Sequence, residues 1–218
     1  MKNIILFLVF AVLGGASIFA VLKLSPKTNS PTPTPQPRAP FIKQSEFSIE
    51  NAPSQSIRGT IVTISGDVEW QSRIATESAK ITSPQTIQQG ESISTKETGK
   101  VSLTFPTAAN LTISPNTDLA VVQTLPVNIV FSQGKGVINY ASLNSIPVSV
   151  RSQNLLIQLN QGNMTLTVSD TTPFTTLDVT KGLATVAYND SENVSQVVEV
   201  KEGQRFVFNN DTLQAVLR

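Results

Sequence analysis

The chain has no cysteine and no histidine among its 218 residues, and charged side chains make up only 14% of it. Without cysteine there are no disulfides, thiolate metal sites or cysteine nucleophiles, and the redox compartment is left undetermined. Lipid attachment through an N-terminal cysteine is excluded for the same reason. Without histidine the commonest general base, the Ser-His-Asp triad and most zinc and transition-metal sites are absent. Charge is scarce as well as balanced, with a formal net of +1. Cytosolic globular proteins carry nearer a quarter charged residues. No basic field exists to gather counterions from a polynucleotide, so nucleic acid is not an expected partner.

What is present divides the chain into three stretches. From Ile4 to Leu22 there is no charged residue, and Lys2 and Lys23 flank the run. At about 1.5 Å per residue it would span roughly 28 Å as a helix, close to the ~30 Å hydrocarbon core of a bilayer. A cleaved signal peptide has a shorter apolar region ending in small residues. Gly14, Gly15 and Ala16 offer such a site, yet the run continues past them through Ile18, Phe19, Val21 and Leu22. The reading is therefore an uncleaved transmembrane anchor over residues 4–24, a cytosolic tail of residues 1–3, and the remainder outside the cytoplasm, in a single-pass protein of the cell membrane.

Residues 25–55 read as a Pro/Thr-rich linker. Pro26, Pro31, Pro33, Pro35, Pro37 and Pro40 interleave with threonines, removing backbone donors and locking φ. The linker's proline-dense part, Ser25 to Pro40, favours polyproline II and would act as a semi-rigid spacer, roughly 50 Å long at about 3.1 Å per residue.

Residues 56–218 read as strands throughout. Val101, Leu103 and Phe105 alternate with Lys100, Ser102 and Thr104, and Leu111 and Ile113 repeat the pattern. Thr60, Val62 and Ile64 alternate with one phase slip, followed by Val68 and Trp70. Period two with β-branched and aromatic residues marks half-buried strands. Glycine punctuates these strands at positions 59, 66, 90, 99, 134, 136, 162, 182 and 203. A weak repeat precedes three of them: Ile129-Val130-Phe131 before Gly134, Leu177-Asp178-Val179 before Gly182, and Val198-Glu199-Val200 before Gly203. Each unit is expected to be a strand, a tight turn at the glycine and a return strand. The predicted fold class is all-β, either a short β-solenoid or β-roll or a sandwich of glycine-punctuated strands, preceded by one transmembrane helix.

The order of these units resembles the FecR-like domain over about residues 57–208. The carrying motifs are Ile64-Ser65-Gly66-Asp67-Val68, Ile87-Gln88-Gln89-Gly90-Glu91 with Ser94-Thr95, Gly99-Lys100-Val101-Ser102-Leu103-Thr104-Phe105, and Leu111-Thr112-Ile113-Ser114-Pro115-Asn116-Thr117-Asp118-Leu119. Units at Gln133-Gly134, Lys181-Gly182-Leu183-Ala184-Thr185-Val186 and Glu202-Gly203-Gln204 resemble the family's closing strands. Pro106-Thr107-Ala108-Ala109-Asn110 stands where the family places an Asp-Gly turn, and Gly162-Asn163-Met164-Thr165-Leu166 departs from its Gly-Thr-x-Phe strand. The family's best-known members carry a cytosolic helical segment that binds a sigma factor. With residues 1–3 as the only cytosolic part, that role is not carried over. The resemblance implies an envelope β-domain working by contact with a protein or ligand.

Catalysis is not expected. A Ser/Lys dyad needs a lysine in an apolar pocket, whereas Lys80, Lys96, Lys100, Lys135, Lys181 and Lys201 fall at turns or on the polar phase of strands. No catalytic, cofactor or metal residue is nominated. Asn189-Asp190-Ser191-Glu192-Asn193 and Asn209-Asn210-Asp211 offer oxygen ligands without calcium-loop spacing and read as exposed loops. Asn-x-Ser/Thr triplets begin at Asn110, Asn163, Asn189, Asn193 and Asn210, as composition alone would produce. Trp70, Tyr140 and Tyr188 are candidates for a binding face, with packing the plainer expectation. The functional expectation is a non-catalytic envelope binding or signalling module; a cell-surface structural or carbohydrate-binding module is the alternative. The expected partners are the membrane, through residues 4–24, and an envelope protein or cell-wall component.

Overall fold

The computed structural model describes residues 56–143 and 146–218. The tail, the apolar run and the linker lie outside them. Fifteen strands follow in chain order: β1 (Gly59–Ser65), β2 (Val68–Gln71), β3 (Ala79–Lys80), β4 (Thr86–Ile87), β5 (Ser92–Thr95), β6 (Lys100–Phe105), β7 (Ala109–Ile113), β8 (Asp118–Leu125), β9 (Asn128–Ser142), β10 (Val148–Ser152), β11 (Leu155–Val168), β12 (Phe174–Asn189), β13 (Ser195–Lys201), β14 (Arg205–Asn209) and β15 (Gln214–Leu217). The described residues contain no helix, and hence none long and apolar enough to cross a membrane. The domain is all-β.

The strands make one continuous sheet, and its pairing follows two paths. One runs β3–β2–β5–β8–β9–β10–β11–β12–β13 and uses the first halves of β9 and β11 and the second half of β12. The other runs β4–β1–β6–β7–β9–β11–β12–β14–β15 and uses the opposite halves of the same three strands. Strands β9, β11 and β12, with 15, 14 and 16 residues, are long because each serves both paths. The sheet thereby folds over on itself. The parallel stacking that a short solenoid requires is confined to β9–β10, and the other described pairings are antiparallel.

Cross-strand rows show why this sequence folds this way. Val101, Ile113, Ile138, Leu166, Leu177 and Phe206 stand opposite one another in succession across the second path. Beside them run Ile61, Leu103, Leu111, Tyr140, Met164 and Val179. All twelve are buried. The inward phase expected for β6 and β7 is the one observed. Phe131 on the first path meets Phe105 on the second edge-on, with ring centroids 5.3 Å apart, so the two halves of the sheet close on a single core. Burying each such aromatic contributes roughly 1.5–3 kcal/mol.

Two local expectations need correction. In β1 Gly59 and Ile61 are buried and Ile64 packs against the core as expected, while Thr60 is exposed and Val62 is 48% exposed. The register shifts between Ile61 and Thr63, so the phase slip is a β-bulge at Val62. Gly134 and Gly136 lie inside β9, Gly162 inside β11 and Gly182 inside β12. They mark where a long strand passes from one pairing path to the other, and no tight turn occurs there. Of the three repeat units only the one at Gly203 ends in a turn, closed by Gln204 N–H donating to the Lys201 carbonyl at 3.0 Å. At the β6–β7 turn, where the family pattern has Asp-Gly, Thr107 takes the positive φ of 63°.

Candidate binding surfaces

Each candidate residue from the sequence has a definite place. Lys80 pairs with Asp67 at 2.8 Å, Lys96 with Glu69 at 3.1 Å and Lys135 with Asp118 at 3.9 Å, all on the surface. The Lys96 bond, followed by the bond from Ser78, holds the Glu69 carboxyl below its usual value. Lys100, Lys181 and Lys201 are exposed. The residues 189–193 form the β12–β13 turn. Its Asp190 carboxylate accepts from Gln196 Nε2 at 2.7 Å and from the Val194 and Glu192 amides at 3.0 Å each, and these bonds hold it below the ordinary carboxylate range. In the β14–β15 turn Asn209 Oδ1 accepts from the amides of Asp211 and Thr212. Asn210 Nδ2 donates to the Pro173 carbonyl and Thr175 Oγ1. In each cluster one side chain, Asp190 or Asn209, accepts from amides of its own turn. Among the described residues no group of three or more acidic side chains is placed to hold a metal ion.

The three aromatics separate. Tyr140 is in the core, where burial pushes its hydroxyl well above its ordinary pKa. Its hydroxyl donates to Gln133 Oε1 at 3.0 Å, and Gln133 Nε2 donates to the carbonyls of Gly136 and Leu166. A buried polar trio thus braces the bend of β9. Trp70 is half-buried, and its indole N–H donates at 3.2 Å to Glu91, whose carboxylate is buried and also accepts from the Gln88 amide. The acidic residue of the Gly90-Glu91 motif therefore ties β2 to the turn before β5. Tyr188 leans on Phe206 and Phe208, with centroids at 5.9 and 5.0 Å. It borders a shallow groove of about 450 Å³ that also touches Asp190, Glu192, Gln196, Leu213 and Val216.

Two surface features arise only from register. Thr63, Ser102, Thr112, Asn139 and Thr165 stand opposite one another across the outer face of the second path, and the row continues to Asp178 and its ion-pair partner Arg205. This is an uncharged strip of hydroxyls and amides ending in an ion pair. At the end of the first path β13 pairs, among the described residues, with β12 alone, and Val197 on it is 68% exposed. No linear motif signals either feature, because the residues of each come from separate strands. The Asn-x-Ser/Thr asparagines are scattered, with Asn110, Asn189 and Asn193 exposed and Asn163 and Asn210 half-buried.

No family model matches the chain, and no curated protein matches it in sequence. Two crystal structures of a candidate anti-sigma factor from Parabacteroides distasonis resemble it in fold. Each has a TM-score of 0.52 at 12% identity, over 58% of this chain and 58% of that one. The likeness shows a shared fold, and it takes in less than two thirds of the neighbour's length.

Proposed function

We propose that this protein is a membrane-anchored, non-catalytic module that holds a FecR-like β-domain outside the cytoplasm and works by binding a partner in the cell envelope. The observation that carries this reading is the fold shared with a candidate anti-sigma factor. The charge-free run from Ile4 to Leu22 supports an anchor over residues 4–24, and the proline-rich residues 25–55 suit a spacer. Surface lysines that pair with carboxylates, and Asp190 and Asn209 side chains that brace their own turns, support contact over chemistry. The partner is an envelope protein.

Fractionation of cells, followed by cross-linking and capture from solubilised membranes, tests the proposal. The expected result is recovery in the membrane fraction with one envelope protein attached. Recovery from the cytosol with no envelope protein captured overturns it. A second reading, a carbohydrate-binding or structural surface module, is favoured by the hydroxyl and amide row from Thr63 to Thr165, which suits an uncharged polysaccharide. Under that reading the protein is retained on purified wall polysaccharide, and replacing Thr112 and Thr165 with Lys releases it.

A further inference from the structure

The sheet has four terminal strands among the described residues, and they differ in what they offer a second chain. Strands β3 and β4 have 2 residues each and β15 has 4, which makes them poor templates for pairing. Strand β13 has 7 residues, Ser195 to Lys201. A long edge with exposed apolar residues is a pairing site unless something blunts it.

The unused backbone groups of β13 can be assigned. Asp190 N–H donates to the Val194 carbonyl across the turn into β12. Antiparallel partners alternate between bonded and non-bonded pairs, so Val194, Gln196, Val198 and Val200 aim their backbone groups at β12. Ser195, Val197, Glu199 and Lys201 aim theirs outward. Lys201 is already engaged, because its N–H donates to Gln204 Oε1 at 2.8 Å and its carbonyl accepts from Gln204 N–H at 3.0 Å. The groups left to a partner belong to Ser195, Val197 and Glu199.

We infer that β13 is a self-association edge, pairing antiparallel with β13 of a second copy about a two-fold axis through Val197. In this register Val197 meets Val197 and Ser195 meets Glu199, and every unused outward group finds a partner while Lys201 keeps its bonds to Gln204. Centring the axis on Val198 instead would set Val197 against Glu199 and require the engaged Lys201 backbone. Centring it on Glu199 would oppose two like charges. The outer face supports the same choice. Leu156, 49% exposed, stands opposite Ala187, and Ala187 stands opposite Val197. The apolar row therefore reaches the edge at Val197 and continues into its own image across the axis. The formal net charge of +1 raises no long-range repulsion between copies. This inference stands apart from the proposed envelope partner, and either can fail without the other.

The chain has no native cysteine, so a single introduced thiol reports one position. Bonded antiparallel partners have Cα atoms about 5.5 Å apart, inside the range a disulfide spans. In the full-length protein in mild detergent, Val197→Cys should form an interchain disulfide on oxidation about tenfold faster than Val216→Cys on the 4-residue edge strand β15. Glu199→Pro in the Val197→Cys chain removes an outward N–H at an edge that tolerates proline. It should lower that rate about tenfold with the β circular dichroism intact. Equal rates at Val197 and Val216, an unaltered rate with Glu199→Pro in a folded chain, or capture of a different protein by the Val197→Cys thiol would each overturn the inference.

Discussion

Gly182 and Gly203 sit at the end of nearly the same local pattern, an apolar-polar-apolar triplet, two more residues and then glycine, and both take a positive φ, 84° and 80°. Their surroundings have nothing in common. A Cβ on Gly182 would lie 2.2 Å from the carbonyl oxygen of Gln161, whereas one on Gly203 would meet nothing within 4 Å. Gly182 is paired with Gly162 inside the sheet, where β11 and β12 change partners together. Gly203 is the exposed apex between β13 and β14. One conformational need is thus met for two reasons: at the apex to reverse the chain, within the sheet to let two backbones touch while a strand turns from one path to the other.

Substitutions can break this comparison. The largest effect is expected from Gly182→Ala, which adds a backbone clash to an unfavourable φ; the loss should be about 3 kcal/mol or more, read as a lowered denaturation midpoint. If the loss matched that of Gly203→Ala, the close approach would carry no cost and the distinction would fail. A smaller loss is expected at the bend of β9, where a hydrogen-bonded trio braces the chain. Tyr140→Phe leaves Gln133 Oε1 buried without its donor, at a cost of about 1–3 kcal/mol. That residue also sets an alkaline limit. Burial raises its folded pKa above the unfolded value of about 10, so its contribution is complete below pH 10 and is lost as pH rises beyond it. Alkaline titration of stability should be shallower in Tyr140→Phe than in the parent. Gly203→Ala, with open space around it, should cost about 1 kcal/mol for φ alone. The smallest effect has the opposite sign. Thr107 is a β-branched residue at φ 63°, so Thr107→Gly should raise stability by about 0.5–1 kcal/mol in urea unfolding.

The strands themselves were largely legible. Val101, Leu103, Phe105, Leu111 and Ile113 announce their inward faces by alternation, and each is buried. Val62 was misleading because a bulge places one extra residue in β1, and the two-residue period cannot say where a register shift falls. The lysines and the acidic turns lie at the surface, as their positions beside turns suggest. The row from Thr63 to Thr165 and the edge at Val197 could not be read, since each is defined by which strands become neighbours.

Alternation of apolar and polar residues along the chain determined that the described residues after position 55 are built of strands and which side of most of those strands is buried, because a strand's side chains take opposite faces by backbone geometry alone. Tertiary structure decided how those strands pair, that Gly134, Gly136, Gly162 and Gly182 are bends within strands, and which edge is left open. Backbone hydrogen bonds between strands are the same for every residue type, so the choice among possible neighbours falls to the packing of the whole core.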